Sequence, residues 1–188
     1  MPNWRRAHVP GGTYFFTVVT DARRHLFRSA RARRLLGETI RECIVRYPFT
    51  VRAIVLLPDH LHAIWALPRG DDDYPRRWAW IKRSFTRKWL MAGGIENPVS
   101  DGRRRDGRRG VWLPKYWEHT IEDEDDYESH FDYVHFNPVK HGLVRSPRDW
   151  PWSSFHRWVR AGVYPSHWGS GIDGERPCFD DIADTVGE

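Results

Sequence analysis

Ten residues, Leu56-Leu57-Pro58-Asp59-His60-Leu61-His62-Ala63-Ile64-Trp65, constrain this chain more than any other stretch. Pro58-Asp59 is a turn signal between two β-rich runs, 49–57 and 61–67, so the segment predicts a hairpin with the histidines just past the bend. Successive side chains of a strand point to opposite faces, which puts His60 and His62 on one face and Leu61, Ala63 and Trp65 on the other. Two imidazoles on one face can bind one metal ion. The pattern is short and common by chance, so taken alone it better describes two half-exposed strand histidines without a role, and it is the context that favours a site.

The flanking sequence supplies the rest of a sheet. Gly11-Gly12-Thr13-Tyr14-Phe15-Phe16-Thr17-Val18-Val19-Thr20 reads as a glycine turn followed by a buried strand. Residues 30–47 repeat Leu36, Ile40, Cys43, Ile44 and Tyr47 at helical spacing, and Pro48 stops that helix. The order β-α-β-β begins a split βαβ. Residues 75–91 place Trp78, Ile81, Phe85 and Trp89 on one helical stripe, and residues 111–121 read as a further strand. The acidic run Glu122-Asp123-Glu124-Asp125-Asp126 suits the N-terminus of another helix, about 125–136. That helix is expected to end near Asn137-Pro138, because a residue before proline is pushed away from helical dihedrals. The fold expected is α+β: a ferredoxin-like or RRM-like antiparallel sheet in βαββαβ order. The His60/His62 strand lies centrally and the helices pack mainly on one face.

With 188 residues the chain is long enough for one domain, read as 1–168 with an acidic, poorly ordered tail over 169–188. Thirty Lys+Arg against twenty-five Asp+Glu give a formal charge of +5, which suggests an acidic polymer as partner. No apolar run approaches the roughly 20 residues of a membrane span, and no apolar signal-peptide core opens the chain, so a cytoplasmic protein without a membrane role is expected. Cys43 and Cys178 are the only cysteines. A cysteine zinc site is therefore excluded, and a metal would be held by His, Asn, Asp or Glu.

Lys82, Arg83, Arg87 and Lys88 flank the aromatic stripe of 75–91, a combination that neutralises phosphates and stacks on unpaired bases. A solvated basic face on an amphipathic helix fits the same pattern equally well. Residues 92–110, with Gly93-Gly94, Pro98 and six charged residues between Gly102 and Gly110, read as a flexible basic loop.

In the helix after the acidic run, Tyr127, Phe131 and Val134 make one stripe for the sheet, and His130, Tyr133 and Asn137 an adjacent one. Tyr133 and Asn137 are i and i+4 and so neighbours on the surface. Tyr127 and Tyr133 lie about 240° apart around the helix and cannot share a site. Glu118 and His119, just before this helix, are candidates for orienting a ligand, whereas His135 and His141 look like surface or turn residues.

Five motifs in order, Gly11-Gly12-Thr13, Leu57-Pro58-Asp59-His60-Leu61-His62, Trp117-Glu118-His119, residues 132–142 (DYVHFNPVKHG) and Trp150-Pro151-Trp152-Ser153-Ser154, resemble the REP-associated tyrosine transposases. These belong to the His-hydrophobic-His single-tyrosine transposase superfamily, and the resemblance covers about 5–168. It implies a metal-dependent enzyme that cuts single-stranded DNA beside a REP-type hairpin, forms a covalent 5′-phosphotyrosine and can rejoin strands. It further implies His60, His62 and Asn137 as ligands of Mg²⁺ or Mn²⁺ and Tyr133 as the nucleophile. A monomer is favoured, on the nucleoid when bound to DNA. The 92–110 segment departs from the family by its length and arginine content. The alternatives are a catalytically silent hairpin-binding protein or repressor, and a metal-dependent hydrolase on a (β/α)₈ barrel, for which about 250 residues are typical.

Overall fold

The computed structural model describes residues 8–171 and 177–187. Four strands, β1 (Thr13–Val19), β2 (Thr50–Leu56), β3 (His60–Ala66) and β4 (Trp117–Thr120), form one antiparallel sheet in the order β2-β3-β1-β4. Helix α1 (Ala30–Arg46) connects β1 to β2, and α2 (Tyr74–Met91) follows β3. The sequence therefore runs βαββαβ with the histidine strand internal, as its hydrophobic periods require. The β2-β3 hairpin closes at Pro58-Asp59, where the Leu57 N–H donates to the His60 carbonyl at 2.9 Å.

Alternation along the strands divides the side chains into two cores. Tyr14, Phe16, Val18, Leu61, Ala63 and Trp65 face α1 and α2, meeting Leu36, Cys43, Trp78, Ile81 and Phe85. Trp65 and Trp78 stack with ring centroids 4.1 Å apart. Ser29 and Asp73 start these helices, their side chains accepting from the Ala32 and Arg76 amides. The opposite face, with Phe15, Ala53, Val55 and Ile64, is covered by a third long helix, α4 (Glu124–Lys140), and then by the short α5 (Phe155–Arg160). Two long helices share one face, and the tyrosine-bearing helix lies on the other.

Several local expectations change. The strand expected over 111–121 is shorter: Trp112 bridges to Thr20 and the Leu113 N–H bonds Val19, but Pro114 has no donor and interrupts the ladder until Trp117. The expected end of the tyrosine helix at Asn137-Pro138 is also overturned, because α4 continues to Lys140 with Pro138 inside it. Proline removes only the N–H that Val134 would have received. Burial of Phe131 and residues 133–139 between the sheet and the C-terminal layer holds the helical path. The His141 and Gly142 amides then close the end on Asn137 and Val139, with Gly142 at φ 66°.

The 92–110 segment is folded rather than a flexible loop. It contains a short helix, α3 (Asp101–Arg105), and a bridge between Asn97 and Gly110, where any Cβ would lie 2.0 Å from the Asn97 carbonyl oxygen. Arg109 pairs with Glu96, and Arg103 reaches Asp21 at 3.1 Å. Residues 150–154 pair along the edge of β2: Leu56 N–H donates to the Trp152 carbonyl, and Trp150 Nε1 to that of Leu56 at 3.0 Å.

The acidic tail expected to be disordered is ordered over its described part. A 3₁₀ turn, Asp180–Thr185, packs Ile182 and Val186 into the second core, while residues 172–176 and 188 of that tail lie outside the described residues. No helix among the described residues is long and apolar enough to cross a membrane.

Candidate active site and nucleic-acid groove

His60 and His62 are both buried, on the α4 face of β3, with ring centroids 4.9 Å apart. Each is oriented through its Nδ1. His62 Nδ1 lies 2.8 Å from Thr17 Oγ1, its cross-strand partner in the β1-β3 register, and that hydroxyl donates its one proton to the Val186 carbonyl at 2.6 Å. Nδ1 must therefore be the protonated nitrogen, which leaves the lone pair on Nε2. His60 Nδ1 lies 2.6 Å from Asp59 Oδ1. Burial would raise the Asp59 carboxyl, but its bonds to His60 and Arg23 outweigh this and hold it at about 2. It stays ionised, accepts the Nδ1 proton and strengthens Nε2 as a donor to metal.

Tyr133, Asn137 and His141 follow one another at four-residue steps along α4, so they share a stripe. The two ends of that stripe meet the histidines: the Tyr133 ring is 5.3 Å from His62 and the His141 ring 5.2 Å from His60. Asn137 lies between them on that stripe. It is fully buried, and neither its Oδ1 nor its Nδ2 has a hydrogen-bond partner among the described residues. An uncompensated buried amide costs about 1–3 kcal/mol. Two imidazole nitrogens and one orphaned amide oxygen form a fitting donor set for a divalent cation that also takes phosphate oxygens and water.

Two participants were not legible in the sequence as site residues. Lys140 donates from Nζ to the Tyr133 phenolic oxygen at 2.9 Å and lies over its ring. Its seven-residue spacing from Tyr133, two helical turns, was the available signal. The other is the tail. Phe179 packs its ring 5.3 Å from that of Tyr133, Val186 holds Thr17, and Thr185 accepts from Trp117 Nε1 at 2.6 Å and meets His130. Tyr133 is consequently only 1% exposed.

Other sequence candidates scatter. Glu118 pairs with Phe16 and so points to the α1/α2 side, away from the histidines. His119 is on the correct face, but it bonds Asp126 at 2.9 Å and stacks on His130, which is separated from His62 by Phe15. His135, expected at the surface, is buried, with contacts to Tyr164 and Ser154, whereas His141 is exposed. Burial pushes the His135 imidazole down to about 3.

Lys82, Arg83 and Arg87 line a groove of about 880 Å³ between α2 and the arginine-rich segment, facing Arg103, Arg104 and Arg108. Lys88 is one residue too far around α2 and pairs instead with Glu42 of α1 at 2.6 Å. The groove is on the opposite side of the sheet from the histidines. It reaches the same end of the sheet, because Trp112 in its wall bridges to Thr20, whose amide bonds Asp59 beside His60.

No protein-family model matches the chain. It is 41% identical over 172 residues to the REP-associated tyrosine transposase of Escherichia coli strain K12, covering 92% of this chain and 93% of that one. It is 39% identical over 173 residues to a Haemophilus influenzae protein of the same family name, covering 92% and 96%. Among solved structures, a REP-associated tyrosine transposase bound to a REP hairpin superposes with a TM-score of 0.77 at 37% identity, over 100% of this chain and 98% of that chain. Taken with the site on β3 and α4, this relationship over nearly the whole length establishes that the chain belongs to the REP-associated tyrosine transposases.

Proposed function

We propose that this protein cuts and rejoins single-stranded DNA beside a REP-type hairpin through a covalent 5′-phosphotyrosine on Tyr133. The observation that carries the reading is Asn137, a buried amide without a hydrogen-bond partner among the described residues, midway along the helical stripe whose ends, Tyr133 and His141, meet His62 and His60. The hairpin as partner is supported by the solved relative, whose structure is described as bound to one.

The Tyr133 oxygen attacks the scissile phosphorus in line, forming a phosphotyrosine ester as the bond to the 3′ oxygen breaks. The phenol loses its proton, and the departing 3′ oxygen gains one to become a hydroxyl. Reversal of the same exchange joins strands. Tyrosine is a weak nucleophile at neutral pH, with an ordinary pKa of about 10, and Lys140 stabilises negative charge on its oxygen by a charge-assisted bond. His60, His62 and Asn137 would hold Mg²⁺ or Mn²⁺, which when bound offsets charge on the non-bridging phosphate oxygens. Asp59 and Thr17 fix the two rings for that task. The groove lined by Lys82, Arg83 and Arg87 takes the phosphates of the hairpin stem while the unpaired strand turns past Thr20 to the histidine face.

A single-stranded hairpin substrate with Mn²⁺ tests the reading by denaturing electrophoresis. A covalent protein-DNA adduct is expected from the native chain and none from Tyr133→Phe, which removes one oxygen and retains hairpin binding. An adduct that persists in Tyr133→Phe would overturn the assignment of Tyr133. Tight hairpin binding with no adduct from the native chain would leave a hairpin-binding protein that does not cut.

A further inference from the structure

His119, Asp126 and His130 form a second histidine-carboxylate cluster that the cutting reaction does not use. His119 comes from β4, and Asp126 and His130 stand one turn apart on α4. One ligand-capable atom from each lies within 4.8 Å of the others. His119 Nε2 approaches the Asp126 carboxylate at 2.9 Å, and His130 Nδ1 approaches it at 2.8 Å. The His130 side chain is fully buried, and those of His119 and Asp126 are about one-fifth exposed or less, which leaves an entry path on one side. The Phe15 ring stands between His130 and His62, so the cluster is separate from the catalytic histidines.

Counting protons around His130 gives an independent reason to place a cation here. Its Nδ1 faces two acceptors of Asp126, the carboxylate and the backbone carbonyl at 2.9 Å. Its Nε2 lies 2.9 Å from Thr185 Oγ1, and that hydroxyl makes its shorter contact, 2.7 Å, as donor to the Ile182 carbonyl. With the hydroxyl proton used there, Nε2 must donate. A neutral imidazole has one proton, so Nδ1 then presents a lone pair to two oxygens, and full burial opposes the doubly protonated form. A metal ion on Nδ1 removes the conflict: Nε2–H donates to Thr185, and Nδ1, Asp126 and His119 Nε2 share the cation. Asp126 is already oriented by the Glu122 amide at 2.8 Å, the kind of supporting bond that metal-binding carboxylates have.

We propose that His119, Asp126 and His130 bind a divalent transition metal, independently of the His60/His62/Asn137 site. Two imidazoles and one carboxylate, with water as fourth ligand, match zinc best among common ions. Bonds of about 2.1 Å put tetrahedral neighbours about 3.4 Å apart, so each imidazole nitrogen and the Asp126 carboxylate separate by roughly half an ångström, and the His119 and His130 rings, stacked at 12° without the ion, turn so that both lone pairs meet it. The ion ties β4 to α4 and, through His130 and Thr185, to the C-terminal segment that covers Tyr133. Its role is structural.

Cobalt(II) and zinc(II) titrations of the full-length chain test this, using His60→Ala/His62→Ala to remove the catalytic site. That variant should bind one equivalent of Co²⁺ with the visible ligand-field bands of a four- or five-coordinate N/O site, and Zn²⁺ should displace it and raise Tm. Adding His119→Asn or Asp126→Asn should weaken binding by at least about tenfold and abolish the rise in Tm. Circular dichroism identifies whichever of these two variants remains folded, and that one decides the result. The proposal is overturned if the double variant binds no Co²⁺, if binding survives the added substitution, or if a thiolate charge-transfer band places the ion on exposed Cys178.

Discussion

Lys140 Nζ donates to the phenolic oxygen of Tyr133 at 2.9 Å, seven residues along one helix. Seven residues are close to two full turns, so α4 itself fixes the pair. A hydrogen bond involving a charged group contributes about 1.5–3 kcal/mol, here to the oxygen proposed as the nucleophile. Lys140→Met is therefore expected to slow adduct formation about 10- to 100-fold, while Lys140→Arg retains most of the rate. Single-turnover kinetics with hairpin affinity measured in parallel checks this. An unchanged rate would show that the bond serves packing alone.

The three candidate metal ligands differ in how firmly they are placed. His60 and His62 are locked by Asp59 and Thr17 on a central strand, whereas Asn137 contributes one neutral amide from a helix that passes through a proline. Loss of either histidine should abolish cleavage at all Mg²⁺ and Mn²⁺ concentrations. Asn137→Ala should instead raise the metal concentration needed for half-maximal rate about 10- to 100-fold, with recovery at high Mn²⁺. Full activity of Asn137→Ala at low Mg²⁺ would remove Asn137 from the site.

Tyr133 cannot meet a phosphate while the C-terminal segment lies where it does, since it is 1% exposed with the Phe179 ring against it. A chain ending at Gly171 should form adduct several-fold faster. It should also lose a few kcal/mol of stability, because Ile182 and Val186 each contribute about 1.5–3 kcal/mol by burial. Rate and Tm measured on the same preparation separate the two effects, and a slower truncated chain would mean that the segment builds the site.

Within the basic groove, each cation that neutralises one phosphate should contribute about 0.7–0.9 to the slope of log K against log salt. Arg83→Ala and Arg87→Ala are each expected to reduce that slope by about this amount for a REP-type hairpin. Lys88→Ala should leave it unchanged, because Lys88 is turned to Glu42. Equal slopes for all three variants would place the DNA elsewhere.

His135 makes the fold acid-sensitive. Its folded imidazole resists protonation until about pH 3, whereas an unfolded one charges near 6.5. Between these values the unfolded chain binds the extra proton, so stability is complete above about 6.5 and falls as pH drops toward 3. The loss amounts to a few kcal/mol on this difference alone. Tm measured from pH 7.5 to 4 should flatten in His135→Gln relative to the native chain if the substitution is tolerated by Ser154 and Tyr164. A parallel decline in both would assign the acid sensitivity to other groups.

What could be read from the sequence is what short periods encode. Alternation puts His60 and His62 on one face of a strand, the four-residue step sets Tyr133 beside Asn137, and the succession of the two periods gives βαββαβ before any contact is known. Relationships between distant segments have no such signature. Thr17 and Val186 are 169 residues apart, His130 and Thr185 are 55 apart, and each bond exists only because the tail folds over the second face of the sheet. The same tertiary burial explains where local rules lost. Pro138 should end a helix, yet α4 runs through it because its last turns are buried on two sides. The arginine-rich 92–110 segment should be loose, yet Asp21 and Glu96 hold it closed. Local chemistry determined which residues could form a site, and long-range packing decided what covers it.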